Sequence, residues 1–494
     1  MGLVTSGLLW NVHKFGSDMT ISGPSIFPGI QTKSDINWKE LRDKDDMGIK
    51  RKYKKTRIGT TDDDPSFQFE DYDAFRAASS NSQQRQESPL CRGFDHTIKR
   101  PQHGCQANLS LITVFCNFEN LRIDASKINM VAKGGEVLST VMGRDEMDEY
   151  PTYEVAAFAT PTKPNIEIKL ELGSPLRDTL HYMKYVLGSM EWPRKKNQEL
   201  FSNLDMTCQQ TFSGTTLFIT RYEYVNLFHT LTDWWNAFFV LPRNHPGVDD
   251  DTSAGLSGIA KPDRVVFLDG HAEGILDSVW ETLFGSTHFI QHMDNGKSGR
   301  ICFERAIFVP PGYKSPLFNT DRSRTMCPRE RMTKTFSDFV LKQYNLQDTK
   351  VIKGNVVVID RQPYVSHPRS NPDDLERQFD PNELKNLQAK LKEIPGVTVQ
   401  LVRLENLSFG EQLKLLRETH VLIGIHGAAL SHLIFMDEDH SHTIEFRPEF
   451  QIDFFEDLSM WKGIDHSVIE YFAGLSDHEI NRAFKLVTKY VAGQ

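Results

Sequence analysis

The stretch VLIGIHGAALSHLIF, from Val421 to Phe435, is among the most apolar in the chain, yet two histidines, a serine and two glycines interrupt it. It reads as a buried strand, VLIGI, then a turn at His426 and Gly427, then a helix start at Ala428 and Ala429. A glycine there lets the backbone turn sharply and approach a ligand. The opening of a helix carries unpaired N–H groups and a positive dipole end, which suit a diphosphate. The plainer alternative is a strand–helix turn with no ligand.

Two further segments end near the same place if the strands are parallel. HTIEFRP would carry Glu445 to the mouth, where a carboxylate can accept both hydroxyls of a ribose. Pairing with Arg447 is the alternative. Arg361 follows the strand VVVID, and a fixed guanidinium there suits a diphosphate leaving group.

An earlier helix-forming run, RYEYVNLFHTLTDWWN, places Asn226, His229 and Asp233 at i, i+3 and i+7, hence on one face. Asp233 and His229 form a candidate base and its orienter. A polar cluster packed on Trp234, Trp235, Phe238 and Phe239 is the competing reading. The strand RVVFLDG ends at Asp269, a candidate on the acceptor side, with His271 and Glu273 after it. DGHAE would need a distant third ligand to hold a metal, so none is expected.

The elements that must position these groups alternate strand and helix, which implies parallel α/β sheets. One unit runs TTLFITR, NLFHTLTDWWNAFFV, RVVFLDG, HAEGILDSVWETLFG, RICFERAIFVP; ahead of it come the strand LITVFCNFENLRID and the amphipathic helix RDTLHYMKYVLGSM. A second runs NVVVIDR, LERQFDPNELKNLQAKLKEI, VTVQLVRL, SFGEQLKLLRET, HVLIGIHG, AALSHLIFM, HTIEFRP. The expected organisation is a polar, disordered stem over 1–105, an acceptor-side α/β domain over 106–345 and a nucleotide-sugar-binding α/β domain over 346–494. The fold class expected is two Rossmann-like doubly wound domains facing across a cleft, where such folds bind nucleotides.

Composition narrows the function. A net charge of −9 and a pI near 6.0 argue against a general nucleic-acid binder. No stretch reaches the roughly 18–20 apolar residues of a membrane helix. Six cysteines without a C-x-x-C pair do not point to zinc. Two sequons, Asn108-Leu-Ser and Asn406-Leu-Ser, accept glycans only in a chain that enters the secretory pathway.

In order, TRYEYVNLFHTLTDWW, VVFLDGHAE, and VLIGIHGAALSH followed by IEFRP resemble the plant-type β-1,2-xylosyltransferases of N-glycan processing, in glycosyltransferase family 61. CNFENLRIDASKINMVAKGGE, VMGR, CFERAIFVPPGYKSPLF and DRQPYVSHPR extend the resemblance to about residues 100–480. It implies a GT-B fold, inverting chemistry, a UDP-xylose donor, an N-glycan acceptor on glycoproteins and a Golgi type II topology. For such a transfer Arg361, His426, Gly427, Ala428, His432 and Glu445 are expected to form the donor site, with Asp233 or His229 as base and Asn226 and Asp269 on the acceptor side. No cofactor or metal is expected, since helix ends and basic side chains hold the diphosphate. No Asp-x-Asp tripeptide set between apolar strand residues appears in 106–494. Ala429 stands where the family more often has glycine, and the expected N-terminal membrane anchor is not evident. Rival readings are another family 61 transfer, of N-acetylglucosamine to protein Ser/Thr or of a pentose to polysaccharide, and a non-catalytic glycan-binding protein.

Overall fold

In a computed structural model, residues 103–493 are described except 109–112, 168–182, 194, 197–198, 201–203, 242–260, 294–298, 311, 313–316, 318–330, 363–377, 449–453 and 472–473. The expected stem lies almost wholly outside the described residues, as does the first half of the expected helix RDTLHYMKYVLGSM. Its second half is helical, α1 (Met183–Ser189).

The apolar strand runs pair into two sheets. The first joins β1 (Gly104–Asn108), β2 (Thr113–Asp124), β3 (Asn165–Glu167), β4 (Gln210–Ile219), β5 (Arg264–Phe267), β6 (Ser286–Phe289) and β7 (Arg300–Phe308). Their order is β6–β5–β4–β7–β2–β1–β3, with the short strand Phe158–Ala159 paired to β2 and Met190–Glu191 paired to that strand in turn. Strands β6, β5, β4 and β7 are parallel, as the alternation predicts, but β2 runs antiparallel to β7 and to β1. The first sheet is therefore mixed: its parallel part, β6–β5–β4–β7, has the doubly wound order 3-2-1-4 by chain position, and β2 and β1 extend it with antiparallel pairing. β1 and β2 follow one another closely, and a short link between neighbouring strands permits only antiparallel pairing, while β2 meets β7 across a long stretch of chain.

The second sheet is wholly parallel. It contains β8 (Asn355–Ile359), β9 (Thr398–Val402), β10 (Val421–Ile425), β11 (His442–Pro448) and β12 (Asp465–Tyr471), in the order β9–β8–β10–β11–β12. Strands β8 and β10 are buried throughout, which fits apolar runs covered on both faces. Helix α5 (Pro381–Leu391) starts on a capping box between Asp380 and Glu383 with proline in its first turn. Helix α6 (Phe409–Arg417) starts on another, between Ser408 and Glu411. Leu384, Leu387 and Leu391 of α5 pack on Val356, Val358, Ile423 and Ile444 of the sheet.

Both sheets lie in one compact unit, Glu87–Gln494. Aromatic contacts tie them together through α2 (Leu227–Val240), the run read as NLFHTLTDWWNAFFV. Trp234 meets Phe409 at 5.4 Å between ring centres, and Phe228 meets Phe454 and Phe455 of α7 (Phe454–Lys462) at 5.4 and 5.9 Å. Phe336 of α4 (Arg331–Gln343) lies against Trp235 and Phe435. Helix α3 (Asp277–Phe284) covers only the end of HAEGILDSVWETLFG; residues before it form turns.

Candidate active site

The order β9–β8–β10–β11–β12 is 2-1-3-4-5 by chain position, so the winding direction reverses between β8 and β10. In parallel α/β sheets that reversal opens a crevice at the carboxyl ends of the strands. Strand β8 ends into Asp360 and Arg361, and β10 ends into His426 and Gly427. The two ends interlock: Arg361 donates from Nη1 to the His426 carbonyl at 3.1 Å. A Cβ on Gly427 would overlap that same guanidinium nitrogen. Gly427 also holds φ 155° and ψ 176°, a region open to glycine almost alone. The glycine is needed here for the close approach of Arg361.

After Gly427, residues Ala428–Phe435 form a 3-10 helix whose N-terminus has no side-chain cap. The expected helix is present but wound more tightly. His432 Nδ1 lies 2.8 Å from the carbonyl of Ala429, three residues back, so side chain and backbone converge on that oxygen. His432 Nε2 meets Gln412 Oε1 at 2.8 Å, and Gln412 Nε2 donates to the carbonyls of Leu404 and Leu407. That pair of carbonyls orients the amide; a neutral ring carries one N–H and so donates to only one of the Ala429 and Gln412 oxygens. Burial pushes the His432 pKa down to about 4, leaving a neutral ring that braces the 3-10 helix against α6.

Glu445 lies on β11, between β10 and the edge strand β12, with no exposure. Its Oε1 meets His426 Nδ1 at 2.5 Å and Arg447 Nε at 3.2 Å; its Oε2 meets Arg447 Nη2 at 2.7 Å and His466 Nε2 at 2.9 Å. Burial works to raise the carboxyl pKa, but the hydrogen bonds from His426, His466 and Arg447 outweigh it and hold it well below the usual carboxylate range. The carboxylate expected to face a ribose is thus engaged at both oxygens within the protein. The pairing with Arg447 is present in a buried form, and Glu445 orients His426. Nothing in the local sequence marks His466; only the register of β11 beside β12, Thr443 opposite His466, brings it in.

In the first sheet, the candidate triad separates into different tasks. Asn226 is the N-cap of α2, accepting from the Phe228 amide at 3.0 Å, one position outside the helix. Asp233 is fully buried, with Oδ2 accepting from the Tyr222 amide at 3.0 Å and Oδ1 from the Gly312 amide at 2.7 Å. Burial pushes its pKa up to about 8 against the pull of those two amides. His229 keeps 8% exposure, with its ring edge-on to Tyr222 at 4.8 Å and to Phe228 at 5.4 Å. Phe228 touches Phe455, and Phe455 lies 5.1 Å from the His426 ring. The structure therefore brings the α2 histidine and the Gly427 turn to either side of one aromatic contact.

Asp269 is buried rather than open to a cleft. It forms an ion pair with Arg221 at 2.8 Å, and Arg221 also pairs with Asp277 at 2.7 Å while lying 3.8 Å over the Phe267 ring. His271 is held by Glu149 at 2.8 Å and stacks on Tyr224 at 4.5 Å. Asp269 and His271 of DGHAE thus belong to a buried ion-pair network, while Glu273 is exposed. Among the described residues, no group of three or more His, Cys, Asp or Glu is placed to hold a metal ion. The Asp-x-Asp tripeptide Asp437-Glu438-Asp439 precedes β11, at the end of the sheet opposite Gly427. Its Asp437 and Glu438 pair with Arg417 and Lys462.

Glu445 yields a pH test. Its folded-state pKa is depressed, so it contributes stability above the unfolded carboxylate pKa of about 4.3 and loses it as pH falls through the folded value. Glu445→Gln should lower the melting temperature at pH 7 and flatten its fall below about pH 4.3. Melting curves from pH 7 to 3 with the same acid slope in both proteins would exclude a charged Glu445.

Residues 227–443, from the first residue of α2 to the second of β11, match the Glycosyltransferase 61 family model. A β-1,2-xylosyltransferase of Oryza sativa subsp. japonica is 28% identical over 406 residues, covering 74% of this chain and 69% of that one. A β-1,2-xylosyltransferase of Arabidopsis thaliana is 25% identical over 419 residues, covering 73% and 74%. An EGF domain-specific O-linked N-acetylglucosamine transferase of Canis lupus familiaris is 25% identical over 240 residues, covering 47% and 41%. Residues 227–443, which include both sides of the crevice between β8 and β10, thus carry a glycosyltransferase 61 domain.

Proposed function

We propose that the protein is an inverting xylosyltransferase that moves xylose from UDP-xylose to the 2-hydroxyl of the core β-mannose of an N-glycan, forming a β-1,2 linkage. The observation that carries this reading is the Arg361–Gly427 interlock at the switch point, with the His426 ring linked through Phe455 to Phe228 of α2. Similarity to two plant β-1,2-xylosyltransferases over some three quarters of the chain supports the sugar and linkage. The residues on either side of about 345 act as the acceptor and donor halves of a GT-B enzyme.

The chemistry follows from placement. Arg361 and the amides that open the 3-10 helix at Ala428 and Ala429 hold the diphosphate and stabilise its charge as UDP leaves. His426, oriented by Glu445, lines the same turn. A base takes the proton of the acceptor hydroxyl as its oxygen attacks C1 of xylose from the face opposite UDP. Of the two candidates we assign this to His229, because both Asp233 oxygens already accept backbone amides and Asp233 has no exposure. Asp233 then clamps the loops after β4 and β7 beneath the base. The reaction uses no metal.

The chain works in the secretory pathway, at the Golgi. Two cystines, Cys105–Cys116 and Cys208–Cys302, fit an oxidising compartment. No helix among the described residues is long and apolar enough to cross a membrane, so an anchor would lie elsewhere. The second reading is transfer of N-acetylglucosamine to protein Ser or Thr, favoured by the EGF domain-specific relatives, whose match spans 47% of this chain.

A transfer assay on a defined N-glycan and on folded EGF-domain protein, with a panel of UDP-sugars, separates the two. We expect β-1,2-linked product from UDP-xylose on the glycan, at the same rate in EDTA. Product only from UDP-N-acetylglucosamine on the protein would establish the second reading, and dependence on added manganese would refute the metal-free site. In the same assay His229→Gln should lose about 100-fold or more in kcat at unchanged melting temperature. Near-normal turnover would move the base role to Asp233. Secretory residence has its own check. Asn406 ends the surface 3-10 turn Leu404–Asn406, is exposed, and makes no side-chain hydrogen bond among the described residues. Chain expressed through the secretory pathway should lose one glycan's mass in Asn406→Gln, read against glycosidase-treated wild type; equal masses would count against glycosylation there.

A further inference from the structure

We propose that His466 is a positioning residue of the donor site: by holding one oxygen of Glu445 it turns the other onto His426 and fixes that ring beside Gly427. This rests on the donor-site reading above and adds a residue that lies outside the segment matching the family model.

The argument starts from what a buried carboxylate needs. Among the described residues Glu445 meets three side chains, those of Arg447, His426 and His466. Arg447 sits two residues along the same strand, so its fork ties β11 to itself and, through Glu456, to α7. Arg447 alone leaves the carboxylate free to ride with its strand. His466 comes from β12, the edge strand on the far side of β11 from β10. Its bond to Oε2 at 2.9 Å opposes the bond from His426 to Oε1 at 2.5 Å, so the carboxylate is held from both neighbouring strands.

The protons can be assigned from the same contacts. His466 Nδ1 is buried without a hydrogen-bond partner. A bare nitrogen there costs less than an unmet N–H, so the ring carries its proton on Nε2 and donates to Oε2. His426 then donates from Nδ1 to Oε1. This fixes the ring's tautomer and turns Nε2 away from Glu445, the logic by which a buried carboxylate orients a histidine in hydrolase triads.

The test compares His466→Ala with His466→Gln, whose amide N–H stands close to the lost Nε2–H. Proton NMR of the wild-type protein should show a far-downfield, exchange-protected imidazole N–H, assigned to His426 by its absence in His426→Gln. His466→Ala should lose that signal and raise the KM for the UDP-sugar about tenfold or more, with the acceptor KM unchanged. His466→Gln should recover both. A retained signal and normal kinetics in His466→Ala would overturn the proposal. So would equal losses in the two variants, since packing rather than hydrogen bonding would then explain them. A wild-type protein with no transfer activity refutes the proposed function, while the N–H signal still decides the positioning role.

Discussion

A charged side chain can be removed from water only if donors replace the hydration it loses, and Glu445 imposes that condition on the whole donor half. Its two oxygens draw in His426 from the end of β10, Arg447 from its own strand and His466 from β12. Three neighbouring strands must therefore keep one register for the carboxylate to be met. Register in a sheet buried on both faces is already set by its apolar packing. The Glu445 cluster adds a polar condition at the carboxyl end of the strands, where a parallel sheet presents its ligand crevice.

The second sheet also decides where the first can act. The 3-10 helix after Gly427 has two faces: Leu430 and its apolar neighbours seal β10, while Phe435 and His432 meet rings from α4 and α6. Phe228 of α2 packs into α7 beside them. An aromatic seam of this kind excludes water and is stiff, because close-packed rings have few alternative arrangements. It holds His229 and the Gly427 turn in a fixed relation although their sequence positions are almost 200 residues apart.

The first sheet manages its own buried charges differently. Arg221 is matched by Asp269 and Asp277 and lies over an aromatic face, while His271 bridges to Glu149. Such networks gain little net stability once desolvation is counted, but breaking one partner is costly. Their effect is to tie the loops after β4 and β5 to the chain near Glu149. Asp233 does the same for the loops carrying Tyr222 and Gly312, and Gly312 has no room for a side chain beside it.

What could be read from residues alone was periodic or local. The alternation of apolar strands with helices was legible, as were the run that forms α2 and the turn at Gly427 between a buried strand and a helix, whereas Asn226, read as lying on the α2 face, is its cap. Each rests on interactions within a few residues, which the chain order lists directly. The mixed character of the first sheet was not legible, because β2 joins β7 across almost two hundred residues. Nor were the partners of polar groups. Glu445 looked available for a ribose until His466 came beside it, and Asp269 looked like a cleft residue until Arg221 closed on it. The amino-acid sequence by itself determined which segments would be strands and helices and that one glycine turn would be special. Only the tertiary structure decided which charges are matched and which face outward, since burial and hydrogen-bond partnership belong to segments distant in the chain.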